Sequence, residues 1–166
     1  MSVVATSTVS LNPVFLREIK EVNQELWQLV SRAREMCSKP ANMRLHRHFF
    51  VTMLARFRDN LALHFSLEEF YGYFDEPIDV SPQLAEQAEQ LRAEHRTLYS
   101  ELSAIAERAE TMVREKRFSR TSQRLALRVI GFLDQFEEHE KREDELILQM
   151  LDDEILACKQ NGPTTR

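Results

Sequence analysis

The chain is poor in the residues that break helices and build loops. It holds only 3 glycines and 5 prolines in 166 residues. That scarcity excludes a fold rich in tight turns and leaves no phosphate-cradling glycine loop. There are 2 cysteines, Cys37 and Cys158, too few for a disulfide framework, and a reducing cytoplasm suits them. No uninterrupted apolar run approaches the length of a membrane span. The first ten residues, MSVVATSTVS, lack the basic start and sustained apolar stretch of a signal peptide and read as a disordered arm over 1–11. Net charge is -5, which argues against nucleic acid as a partner. Neither a Ser/His/Asp arrangement nor zinc-finger spacing is present.

What is there favours long helices: 30% charged and 43% hydrophobic residues, dominated by Glu, Leu, Ala, Arg and Gln. Three turn-rich stretches punctuate the body, SKPANMR from Ser38, YFDEPIDVSPQ from Tyr73 and EKRFSRTSQ from Glu115. Asn12-Pro13 and Ser81-Pro82 are helix starts. The spacing predicts helices at 12–37, 41–73, 82–115 and 120–158, followed by a flexible tail over 159–166. Each carries apolar residues at the helical period. Short connections between four amphipathic helices imply an all-α, up-down-up-down antiparallel four-helix bundle.

Polar residues interrupt the apolar stripes. His64 and Glu68 do so in the second helix, His95 in the third, His139 and Glu143 in the fourth and Asn23 in the first. At ~1.5 Å per residue these positions share one depth in the predicted bundle. Buried ionisable groups are costly unless they are paired or bind a metal. His64 and Glu68 are four apart and face the same way, as are His139 and Glu143. His95 is followed four residues on by Tyr99, whose phenol could also reach inward. Imidazole with carboxylate suits iron, manganese or zinc, and facing helices of a bundle can hold such ions as a pair. His46 and His48 fall at the other end and face different directions, so they read as a basic cap.

The motifs HFSLEE from His64, EHRTL from Glu94 and EEHEKREDELI from Glu137 resemble the hemerythrin-like, or HHE cation-binding, domain family. The resemblance spans about 12–157. It implies a helical bundle holding a non-haem di-iron centre that binds or reacts with oxygen or peroxide, or senses iron and redox state. Carried over, it assigns His64 and Glu68 to the second helix, His95 to the third and His139 to the fourth. The fourth helix's carboxylate is Glu143 or Asp144, with helical geometry favouring Glu143. The family's first-helix histidine is replaced by Asn23, and the second histidine of the third helix by Tyr99. The expected metal set is therefore His64, Glu68, His95, His139, Glu143 or Asp144, Tyr99 and Asn23, around one or two ions. Iron is the first choice, with manganese or zinc as alternatives.

Two other readings use the same bundle. The regulator of sigma D family resembles a hemerythrin-type bundle that binds a protein partner without metal; the polar layer would then be a buried hydrogen-bonded network. A histidine phosphotransfer module would need a solvent-exposed histidine in mid-helix.

Overall fold

The computed structural model describes residues 13–71 and 81–160, with side chains for 23–71, 81–153 and 156. Five helices follow one another: α1 (Pro13–Ser38), α2 (Pro40–Leu45), α3 (Arg47–Phe70), α4 (Pro82–Arg114) and α5 (Phe118–Gln160). No strand occurs among the described residues, and no described helix is long and apolar enough to cross a membrane. The expected arm at 1–11, the turn over 73–80, the end of the tail and the side chain of Cys158 lie outside the described residues.

The helix expected from residue 41 is instead two helices. Pro40 occupies the first turn of α2, and the backbone leaves the helical region at His46 (φ -107, ψ 34). α3 therefore begins at Arg47, and it ends at Phe70 rather than residue 73. Met43 of α2 is fully buried, so the short helix closes that end of the core instead of crossing it as a loop. At the end of α4, Lys116 adopts a left-handed φ of 58. Lys116 N–H bonds Val113 C=O, and Arg117 N–H bonds Met112 C=O. This Schellman arrangement satisfies two last-turn carbonyls and turns the chain into α5.

Side-chain contacts fix the relative sense of the long helices. Glu101 of α4 pairs with Arg128 of α5, and Glu94 pairs with Arg142, so α4 and α5 run antiparallel. Phe57 of α3 meets Phe132, and His64 meets Glu140, so α3 and α5 run in the same sense. The stripes expected from the sequence face inward: every residue from Leu84 to Met112 on the α4 stripe is buried, as is every residue from Leu125 to Met150 on that of α5.

The interior has two apolar parts. A large cluster gathers Leu26, Phe50, Phe57, Leu61, Leu102, Phe132 and Phe136 with their neighbours. A small one holds Leu84, Ala88, Leu91, Leu146 and Met150. Along α4 and α5 the buried positions between them are His95 on one helix and His139 and Glu143 on the other.

Candidate metal centre

Three helices supply this layer. On α3, His64 and Glu68 lie one and two turns beyond Leu61, and on α5, His139 and Glu143 lie one and two turns beyond Phe136. His95 faces them from α4. All five are buried, with exposures of 7% or less. Their positions on the apolar stripes bury them; the buried residues three or four positions away on the same face, Leu61 on α3, Leu91 and Leu98 on α4, and Phe136 and Leu146 on α5, keep that face inward.

Two groups of donors form. His95, His139 and Glu143 make one, and His64, Glu68, Glu140 and Glu143 the other. In each, one donor atom from every residue lies within 4.8 Å of all the others. Glu143 Oε1 stands 3.0 Å from His95 Nε2 and 3.3 Å from His139 Nε2. Glu68 spans the two groups: its Oε1 is 3.0 Å from His64 Nε2, and its Oε2 is 3.5 Å from His95 Nε2. Glu140 Oε1 lies 2.7 Å from His64 Nε2. Two donors held about 2.1 Å from one ion at right or tetrahedral angles stand roughly 3.0–3.4 Å apart. These separations and the imidazole–carboxylate chemistry therefore fit metal cations, with Glu143 within reach of both donor groups and Glu68 between them. Several buried polar atoms have no hydrogen-bond partner, among them Glu68 Oε2, His139 Nε2 and His64 Nδ1. Such orphans are costly, and an ion resolves the first two.

A second ring of carboxylates orients the imidazoles. His95 Nδ1 lies 3.0 Å from Glu69 Oε1, and His139 Nδ1 lies 3.0 Å from Glu94 Oε2. Arg142 in turn grips both oxygens of Glu94, Nη1 donating to Oε1 at 2.9 Å. With Nδ1–H donating outward, each Nε2 presents its lone pair inward. Phe65 stacks on His95 at 4.0 Å with only 7° between planes, and stands edge-on to His139 at 5.7 Å. Its ring shields this side of the layer.

The electrostatics show what the carboxylates demand. Burial works against a charged His64, but its hydrogen bonds to the Glu140 and Glu68 carboxylates outweigh it and lift its pKa to about 10. His139 is raised in the same way, Glu143 being its main partner. Burial pushes Glu68 up to about 8, with the Glu143 charge adding to the effect. Burial also opposes the charge on Glu143, yet the His139 and His95 imidazoles beside it hold it at about 2. The cluster thus draws positive charge, supplied by protons or by metal cations.

The residues expected from the sequence fare unequally. His64, Glu68, His95, His139 and Glu143 come together. Asp144, the alternative to Glu143, is exposed on the outer side of α5, because one residue further turns the side chain about 100° around the helix. Tyr99 does not reach inward: it is 39% exposed and lines an open groove with Phe65, Glu69 and His95. Asn23 is half-buried, and its Oδ1 is buried without a hydrogen-bond partner, but no contact places it among the donors. Glu140, Glu69, Glu94 and Arg142 were not anticipated. Each carboxylate among them is adjacent in sequence to a layer residue, which is the signal that could have found it. His46 and His48 are exposed at the α2–α3 junction, away from the centre.

The family model described as the hemerythrin HHE cation binding domain matches residues 14–153. The chain belongs to this hemerythrin family. No curated protein and no solved structure matches it. The hemerythrin match runs from the first turn of α1 almost to the end of α5, so it includes all three helices that carry the cluster.

Proposed function

We propose that the chain is an up-down-up-down bundle whose polar layer binds two non-haem metal ions, iron first, for oxygen or peroxide chemistry or for sensing iron and redox state. One observation carries this reading: three buried imidazoles converge on carboxylates that span two donor groups. Charge supports it. Three inward carboxylates (Glu68, Glu140 and Glu143) and two outer ones (Glu69 and Glu94, the latter paired with Arg142) surround the imidazoles, and bound cations would offset their charge.

In this reading His95, His139 and Glu143 hold one ion, and His64, Glu68, Glu140 and Glu143 hold the other. Ferrous iron, when bound, would supply electrons to a small oxidant such as oxygen or peroxide. The protein holds the imidazoles by their outer carboxylates and keeps bulk water off with Phe65. A groove of about 610 Å³ lined by Phe65, Glu69, Arg92, Arg96 and Tyr99 borders His95, and its volume exceeds that of oxygen or peroxide. A cytoplasmic location agrees with Cys37, a buried free thiol. His95 and His139 are buried, which removes the support for a phosphotransfer module.

The test is anaerobic loading of tag-free protein with ferrous iron, followed by elemental analysis and exposure to oxygen and to peroxide. Two irons per chain are expected, with a visible absorption that develops on oxidation. Protein that takes up no metal on reconstitution would sink this reading and favour the metal-free, partner-binding one. That alternative draws support from Leu63 and Phe70, both well exposed on α3 and seven residues apart.

A further inference from the structure

The two donor groups differ in composition, and the difference rests on the two-metal reading above. The first has two imidazole nitrogens, with Glu143 and the far oxygen of Glu68 beside them. The second has one imidazole and three carboxylates, Glu68, Glu140 and Glu143. Imidazole nitrogen favours zinc and iron, whereas an oxygen-dominated set favours harder ions such as manganese.

The outer contacts divide in the same way. His95 and His139 each direct Nδ1 at a carboxylate, Glu69 and Glu94, which raises the basicity of the inward nitrogen. His64 has no such support, because its Nδ1 is buried without a partner. Glu140 meanwhile sits 13% exposed at the edge of the layer, with its Oε1 only 2.7 Å from His64 Nε2. It takes a place that no imidazole fills, since the first helix contributes no histidine.

We infer that the centre is built for two unlike cations: a tight, nitrogen-rich subsite at His95, His139 and Glu143, and a weaker, oxygen-rich subsite at His64, Glu68 and Glu143 that depends on Glu140 as its own ligand. The second subsite binds a hard divalent ion, and it fills after the first.

The experiment uses metal-stripped full-length protein given one equivalent of zinc and then excess manganese. Metals are counted by elemental analysis after desalting, with manganese also followed by its electron paramagnetic resonance signal. The expected product holds one zinc and one manganese per chain. Glu140→Gln keeps the zinc and loses the manganese, or binds it at least about tenfold more weakly. His139→Gln does the reverse and loses the tight zinc. Circular dichroism checks each variant's fold; should Glu140→Gln fail to fold, Glu140→Asp retracts the carboxylate by one methylene and reads the same loss. Manganese uptake unchanged in a folded Glu140 variant overturns the inference, as does loss of both metals together, and either leaves the two-metal reading standing. Wild-type protein that binds neither zinc nor manganese overturns the inference, while the ferrous loading decides the two-metal reading separately.

Discussion

The α5 stripe passes through two environments of equal depth. Phe132 and Phe136 lie in the large apolar cluster, and one turn later His139 and Glu143 occupy the same face. Phe136 and His139 are both 0% exposed. Burial therefore says nothing about which position stabilises the fold and which serves a ligand. The phenylalanine gains from leaving water at about 25 cal/mol per Å² of apolar surface. The histidine loses hydration and recovers it only through partners. Below the layer, Phe57 packs edge-on to Phe132 and Phe136 at 5.8 and 6.3 Å and needs nothing from outside the chain. The layer itself needs counter-charge. Metal and pH should thus act on the layer and leave the apolar region unaffected.

The largest expected effect comes from the apolar side. Phe136→Ala should cost about 3–5 kcal/mol in urea unfolding, and the loss should be the same with and without metal. A loss that vanished on metal addition would mean that the ring acts through His64, which it touches edge-on at 6.2 Å, rather than through the core. Glu143→Ala should approach this cost, about 3 kcal/mol, by leaving the buried His95 and His139 imidazoles without the carboxylate they share. Unlike Phe136→Ala, it should also abolish metal uptake. In wild type, a metal at a hundred times its dissociation constant should add about 2.7 kcal/mol of stability, seen as a rise in Tm that Glu143→Ala lacks.

The pH dependence separates the regions without mutation. His64 holds its proton more tightly folded than unfolded, so its contribution is complete below 6.5 and is lost as pH rises to about 10. Glu68, raised from 4.5 to about 8, loses stability in the same direction between those values. Glu143 is depressed: its contribution is complete above 4.5 and lost as pH falls toward 2. Metal-free protein should therefore weaken on both the alkaline and the acid side. Metals compete with the same protons, so the stabilisation they confer should grow with pH. A thermal-melt series across pH, run with and without metal, checks both slopes. Phe136→Ala should shift those curves without changing their shape.

The apolar region was far more legible in the sequence than the layer. Periodicity placed Leu84 to Met112 and Leu125 to Met150 correctly because one residue's displacement on a helix moves a side chain by 100°. The same rule picked out His64, Glu68, His95, His139 and Glu143. It failed for residues just off the stripe. Glu140 is one residue past His139, yet it reaches His64 on another helix; a three-bond side chain spans what the helix angle separates. Glu69 and Glu94 reach inward likewise. In the sequence such residues resemble a solvated acidic face, and only the facing helix shows which are drawn in. The break at His46 was missed for another reason, since no glycine or proline marks it and the burial of Met43 favours it.

The smallest expected effect tests the rim of the layer. Tyr99 was a candidate ligand by its spacing from His95, and a phenolate on ferric iron gives a strong visible band. The ring instead stands on the outer side of α4, 39% exposed and in the groove that borders His95. To ligate, it would have to leave that groove and pass the Phe65 ring, which already stacks on His95 at 4.0 Å. Tyr99→Phe removes only the hydroxyl from a partly solvated ring. It should change stability by no more than about 0.5 kcal/mol and leave metal content and the visible spectrum of the iron-loaded protein unaltered. Loss of a visible band in this variant would show that the groove-lining ring turns inward when metal binds, and would move the boundary between the layer and its rim.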